Sequence, residues 1–198
     1  RRLLELGGSV TAIELSEALA SWLKAKHGHS ELDLVVGAFE DVELPGKAFD
    51  LVVAATSFHW VPTDVGLQRC ASLLATGGSL ALWWTVFGDP SRQDPFHEAL
   101  TPILLRLAPE LLDTPDRRGN APFYALDVKA RVSEIEGSGS FGPVFNETIS
   151  WTGGHTPEQL RALFSSYSSW RAIPADRRTV VLDALEAVAR EEFGGVVE

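Results

Sequence analysis

The sequence predicts an α/β fold, a mostly parallel sheet wrapped by helices on both faces. Strand-like apolar runs alternate with helix signals through the first half of the chain, the pattern of strand–helix units that build a parallel sheet. Three of these runs, residues 9–14, 32–37 and 49–55, end where ligand-holding residues stand: Glu14, the segment Ala38-Phe39-Glu40, and Thr56-Ser57-Phe58-His59-Trp60. With 198 residues, 45% apolar and 22% charged, the chain can bury a sizeable core, so a single domain over 1–198 is expected.

Taken in order, Arg1 to Leu6 reads as the last turns of a helix closed by Gly7-Gly8. The strand 9–14 passes directly into a helix near Ser16, on which Leu19, Trp22 and Leu23 form an apolar stripe. After the strands 32–37 and 49–55, a helix capped at Thr63 or Asp64 places Leu67, Cys70, Ala71 and Leu74 at i, i+3, i+4 and i+7, and Gly77-Gly78 is its expected stop. Residues 78–86 read as a further strand. Asp94 caps the next helix with Pro95 in its first turn, Leu100, Ile103, Leu104 and Leu107 as the buried stripe, and Pro102 as a bend. Residues 112–124 read as a loop, 128–136 as a short helix, and 144–151 as an alternating strand. Thr156-Pro-Glu-Gln159 is a capping box opening a helix with Leu160, Leu163, Phe164 and Tyr167 on one face. The last helix spans about 174–193 with Val181, Ala184, Leu185 and Val188 inward. Residues 152–193 read as a helical insertion between the last two strands, a cover for a substrate site.

Composition removes several classes of function. A formal charge of −10 argues against general affinity for nucleic acid or an anionic membrane, which needs clustered Lys and Arg. Arg117-Arg118 and Arg177-Arg178 are isolated pairs. One cysteine, Cys70, excludes an intramolecular disulfide and a cysteine-rich zinc site, and suits a reducing compartment. No apolar run approaches the roughly 20 residues that span a bilayer, and nothing at the start resembles a signal peptide, so a cytoplasmic location is expected. His27 and His29 flank Gly28 at a spacing that does not suit one helical face, His97 and His155 have no acidic or cysteine residue at metal-ligand spacing in the sequence, and no metal is expected. Residues 137–141, Gly-Ser-Gly-Ser-Phe, do not complete a Gly-x-Ser-x-Gly pattern and follow a helix, which rules out a nucleophile elbow.

The chemistry concentrates at the strand tips. A carboxylate there can accept both hydroxyls of a ribose through charge-assisted hydrogen bonds, so Glu14 points to an adenosine-containing cofactor. The series Val10-Thr-Ala-Ile-Glu14-Leu15-Ser16, Gly37 to Pro45, Ala48 to Val53, Ser57-Phe-His-Trp-Val61 and Leu73 to Leu82 resembles the class I S-adenosylmethionine-dependent methyltransferases, in the branch acting on small molecules. The resemblance covers the first half well and the remainder more loosely. It implies a Rossmann-like, doubly wound sheet, S-adenosylmethionine as cofactor and a small-molecule methyl acceptor as partner. It also implies a cofactor set of Glu14, Leu15, Ala38, Phe39, Glu40 and Ala55. Ala38 stands where the family commonly has an aspartate for the adenine amino group, so Glu40 or the Phe39 backbone would substitute.

In such proteins a Phe-His-Trp segment faces the cofactor and the substrate cavity. His59 would orient the acceptor or take its proton as a general base, with a loop-shaping hydrogen bond as the simpler alternative. Phe58, Trp60, Trp84 and Tyr124 would line the substrate pocket, and an aromatic face would favour a sulfonium. Two other readings stay open: a nicotinamide-dependent oxidoreductase, and a binding or regulatory protein that keeps the fold without turnover. The family's first strand and glycine-rich loop would precede Arg1, and a last strand would follow Val197, so a biological protein longer at both ends is expected. The absence of methionine agrees with this.

Overall fold

The computed structural model describes residues 2–28, 31–86, 94–112 and 125–198. Its elements are α1 (Arg2–Glu5), β1 (Val10–Glu14), α2 (Glu17–His27), β2 (Leu32–Val36), β3 (Phe49–Ala55), a 3-10 turn (Phe58–Trp60), α3 (Thr63–Leu73) and β4 (Leu74–Trp83). They continue with α4 (Pro95–Leu107), a 3-10 turn (Pro109–Leu111), α5 (Val128–Gly137), α6 (Pro157–Ser166), α7 (Ser168–Arg171) and α8 (Ala175–Glu191). The chain divides into two compact units, Arg1–Thr85 with Asp127–Asn146, and Val86–Leu126 with Glu147–Glu198.

The first unit holds the strands. β1 pairs parallel with β2, from Val10 opposite Leu32 to Glu14 opposite Val36. β3 pairs parallel with β4, from Phe49 opposite Leu74 to Ala55 opposite Trp83. Parallel neighbours need a crossover, which α2 and α3 supply. The expected sheet is thus present as two parallel pairs, and among the described residues no strand of one is hydrogen-bonded to a strand of the other. Phe58, Leu67 and Cys70 form a small core on which Phe39, Val52, Leu80, Trp84, Ile135 and Phe141 pack.

Three expectations are corrected in this unit and its neighbour. α3 ends at Leu73, and β4 begins at Leu74 in an extended conformation, so Gly77-Gly78 does not stop the helix. Instead Gly77 takes φ +82 where the β3–β4 register shifts between Phe49 and Leu51, and a side chain on Gly78 would meet the Phe49 carbonyl at 3.0 Å. The two glycines therefore serve an irregularity in the ladder. On α2, Leu19 and Trp22 are 57% and 56% exposed, and Ala20 is the buried residue. The helix approaches its sheet through a small side chain, and Trp22 instead lies under the Lys26 ammonium at 4.4 Å. Residues 144–151 form no strand, and Phe145, Ile149 and Trp151 stay exposed. Alternation alone cannot make a strand without a neighbour to pair its backbone. Only an antiparallel bridge from His155 to Val197 follows.

Cys70 is buried at 1% exposure, and that burial pushes its thiol up to about 11. Since the thiolate is the reactive form, native protein at pH 8 is expected to resist iodoacetamide and to react once unfolded. Rapid labelling without denaturant, followed by mass spectrometry, would contradict this packing.

The second unit is helical. Asp94 caps α4 by accepting the His97 N–H at 3.0 Å, with Pro95 in the first turn as expected. Thr156 and Gln159 exchange both bonds of a capping box, at 2.9 and 3.3 Å. α8 packs against α4 and α6, and its Val181, Leu185 and Val188 enter one core with Leu100, Leu104 and Leu160. Arg177 ties this unit further, donating to the Leu107 carbonyl at 3.0 Å and to Glu110 at 2.5 Å. Among the described residues no helix is long and apolar enough to cross a membrane.

Candidate functional site

Parallel pairing puts the carboxyl ends of β1 and β2 side by side, where α/β folds hold ligands. Glu14 is the last residue of β1, and its Oε1 accepts the Ser16 N–H at 2.9 Å. Ser16 in turn caps α2, its hydroxyl accepting the Leu19 N–H at 3.4 Å. The turn is short because the strand runs straight into the helix, and it fixes the carboxylate direction. Leu15, beside it, is 73% exposed.

Across the pair, the Gly37 N–H donates to the Glu14 carbonyl at 3.1 Å, which draws the exit of β2 against the acid. Gly37 has φ +154, and an added Cβ would lie 2.6 Å from Val42 Cγ1. Glycine is needed there because the chain doubles back, with the Asp41 and Val42 N–H groups donating to the Ala38 carbonyl at 3.0 and 3.1 Å. The structure therefore brings Glu14 together with the loop of Ala38, Phe39 and Glu40. All three loop residues are half-buried.

The tips of β3 and β4 form the other cluster. Ala55 is the exposed last residue of β3, opposite Trp83. Thr56 adopts φ +50, a left-handed conformation that a β-branched residue rarely takes. Its N–H donates to the Trp83 carbonyl at 2.8 Å and its hydroxyl accepts the Thr85 N–H at 3.3 Å. Backbone strain held in place by surrounding bonds is a mark of functional loops.

The Trp84 indole N–H then donates to His59 Nδ1 at 3.1 Å. An indole nitrogen only donates, so Nδ1 is the accepting nitrogen and the ring proton sits on Nε2. In this tautomer His59 presents an N–H and has no lone pair at Nε2 to take a proton. Trp84→Phe removes the donor and is expected to mix the two tautomers, which imidazole nitrogen shifts in NMR would report. A wild-type spectrum with the proton on Nδ1 would overturn the assignment.

The remaining aromatic residues divide. Trp60 is 76% exposed, with its ring centroid 4.9 Å from that of His59. Phe58, at 4% exposure, packs in the small core, and its ring lies so near Gly66 that a Cβ there would approach to 2.8 Å. It anchors the turn that carries His59. Tyr124, with Phe87, Phe123 and His29, lies outside the described residues.

A cleft of about 360 Å³ in this unit is lined by Thr63, Asp64, Leu67, Gln68, Glu134 and neighbours, none of them a predicted site residue. It opens between the start of α3 and the end of α5. The strand tips are the better candidate, because α/β folds hold ligands at the carboxyl ends of their strands. Among the described residues no group of His, Cys, Asp and Glu could hold a metal ion. Sequence reasoning passed over Arg69, whose guanidinium on α3 donates to the Val42 carbonyl. No local pattern marks such a contact, since its partners lie 27 residues apart.

Parallel strand–helix units with ligand-type residues at their carboxyl ends define a Rossmann-like α/β protein. Residues 1–82 match the family model described as a methyltransferase domain, which bears out the class I methyltransferase recognition over that segment. A candidate methyltransferase from an antibiotic biosynthesis pathway of Anabaena variabilis ATCC 29413 is similar in structure at TM-score 0.62 and 16% identity, over 100% of this chain and 81% of that one. A candidate type II methyltransferase from Anaeromyxobacter dehalogenans gives TM-score 0.51 and 22% identity, over 93% and 74%. A candidate methyltransferase from Bacillus halodurans C-125 gives 0.50 and 16%, over 86% and 72%. None of the curated proteins matches the chain.

Proposed function

We propose that the chain binds S-adenosylmethionine and transfers its methyl group to a small-molecule acceptor. The observation that carries this is the pairing of Glu14, oriented by the Ser16 N–H, with the tightly turned loop 37–42 at the same strand edge. When bound, the cofactor supplies an electrophilic methyl carbon for in-line displacement.

The residues present fit the adenosine half. A carboxylate held at a strand tip suits a ribose diol, and the Ala38–Glu40 loop beside it offers backbone groups and one further acid to an adenine edge. Ala38 contributes no side-chain acceptor, so Glu40 or the backbone of Phe39 takes that part. Ala55 and Leu15 complete the set through backbone and surface contact. Near the other strand pair, His59 and Trp60 hold the acceptor, with Trp84 setting the His59 tautomer.

Of the two roles open to His59, the Trp84 bond favours orientation by donation over proton removal. Rate enhancement then rests on alignment, since methyl transfer to a competent nucleophile needs little more than a near-attack geometry. A lone pair on the acceptor must already be available.

Titration of S-adenosylhomocysteine into the full-length protein by calorimetry tests the reading without knowledge of the acceptor. A dissociation constant on the order of 1 μM is expected, about −8 kcal/mol. Absence of heat at concentrations far above that value would overturn cofactor binding and leave the fold as its only link to the methyltransferases.

A further inference from the structure

We propose that Arg69 is a positioning residue that sets the adenosine-binding loop in register with the His59 end of the site. The role rests on the proposed function, because it assumes that loop 38–42 meets the cofactor. Its basis is a contact between helix α3 and that loop. Glu14 and loop 38–42 belong to the β1–β2 pair, whereas Ala55, His59 and Trp84 belong to the β3–β4 pair, and among the described residues the two pairs share no strand hydrogen bond. A cofactor whose adenosine lies at one pair and whose reacting carbon lies at the other requires the loop and the His59 turn to be held in register.

Arg69 and Phe39 make that connection. Arg69 stands on α3, the helix packed on β3 and β4, and its Nη2 donates to the Val42 carbonyl at the far end of the loop. The guanidinium carbon lies 5.4 Å from the Phe39 ring centroid, and Phe39 packs onto the core of Phe58, Leu67 and Cys70. Phe58 opens the turn that presents His59, so the loop and the transfer site share one small core. The loop is closed on itself by the bonds to the Ala38 carbonyl and by the Gly37–Val42 contact. Fixing Val42 therefore fixes Ala38, Phe39 and Glu40 together.

The same side chain is a poor stabilising device. Its Nε is buried without a hydrogen-bond partner, so part of the desolvation cost of a charged group goes uncompensated. An apolar chain of similar length would pack as well without that cost. This separates positioning from packing experimentally.

Arg69→Met keeps the stem and removes the donor. Positioning predicts an S-adenosylhomocysteine dissociation constant raised by about tenfold. It also predicts faster hydrogen exchange at the Asp41 and Val42 amides, with a melting temperature unchanged or raised. Adenosine alone should lose affinity by the same factor, because the loop serves that half of the ligand. Arg69→Lys, which restores a cation and one donor on the same stem, should recover part of the affinity. Equal affinities of Arg69→Met and wild type, or a loss of affinity that follows a fall in melting temperature in both variants, would overturn the role. Wild-type protein that does not bind S-adenosylhomocysteine shows the failure of the cofactor reading before any substitution is made, and removes this role with it.

Discussion

Glu14→Ala is expected to weaken S-adenosylhomocysteine binding by at least about a hundredfold, since hydrogen bonds to a charged acceptor contribute roughly 1.5–3 kcal/mol each and a ribose diol offers two. The carboxylate is already aimed: its Oε1 takes the Ser16 N–H at 2.9 Å, so little entropy is lost when the ligand arrives. Glu14→Gln keeps a single acceptor oxygen, which the Ser16 N–H and the ribose must share, and should fall between wild type and alanine. The fold should survive both changes, because Glu14 is half-buried and the Ser16 hydroxyl still caps α2. Calorimetric titration of the two variants measures the effect, and unchanged affinity in Glu14→Ala would remove the acid from the site.

The largest effect on stability belongs to the helical unit. Leu185 is fully buried at 0% exposure in a core with Leu100 at 1% and Val181 at 1%. Truncation to alanine loses the transfer free energy of the removed carbons and leaves a cavity that neighbouring helices fill only in part, a cost of about 3 kcal/mol. The Leu185→Ala midpoint in urea should fall with an unchanged slope. By contrast Val180, one turn-face away and 52% exposed, should tolerate alanine with little change. A midpoint shift of equal size in the two variants would show that this core does not carry the stability of the unit.

Much of the site was legible because its signals are local. Glu14 ends a run of β-branched and apolar residues and is followed at once by a helix cap, so its place at a strand tip could be read from six or seven residues. The same holds for His59, which follows the β3 run, and for the Asp94 cap and the Thr156 capping box, whose bonds close within three residues. The misreadings share a different cause. Nothing at Leu73-Leu74 breaks a helix, so the change from helix to strand depends on Phe49 being available as a partner across the ladder. Residues 144–151 alternate well, yet without a paired neighbour they remain extended and exposed. Leu19 and Trp22 form a periodic stripe, but periodicity does not say which face a sheet will cover.

What the sequence determined by itself is the class of the fold, its strand–helix order and the chemical character of the strand tips, because these follow from periodicity, capping and residue type over short spans. Tertiary structure alone decided that the strands form two parallel pairs, that Phe58 is core, that the Trp84 indole sets the proton on His59, and that Arg69 reaches Val42. Each of these is a contact between side chains or ladders 22 or more residues apart, or a choice of buried face. Such contacts depend on the packed geometry of the whole unit, and no local span of residues encodes that geometry.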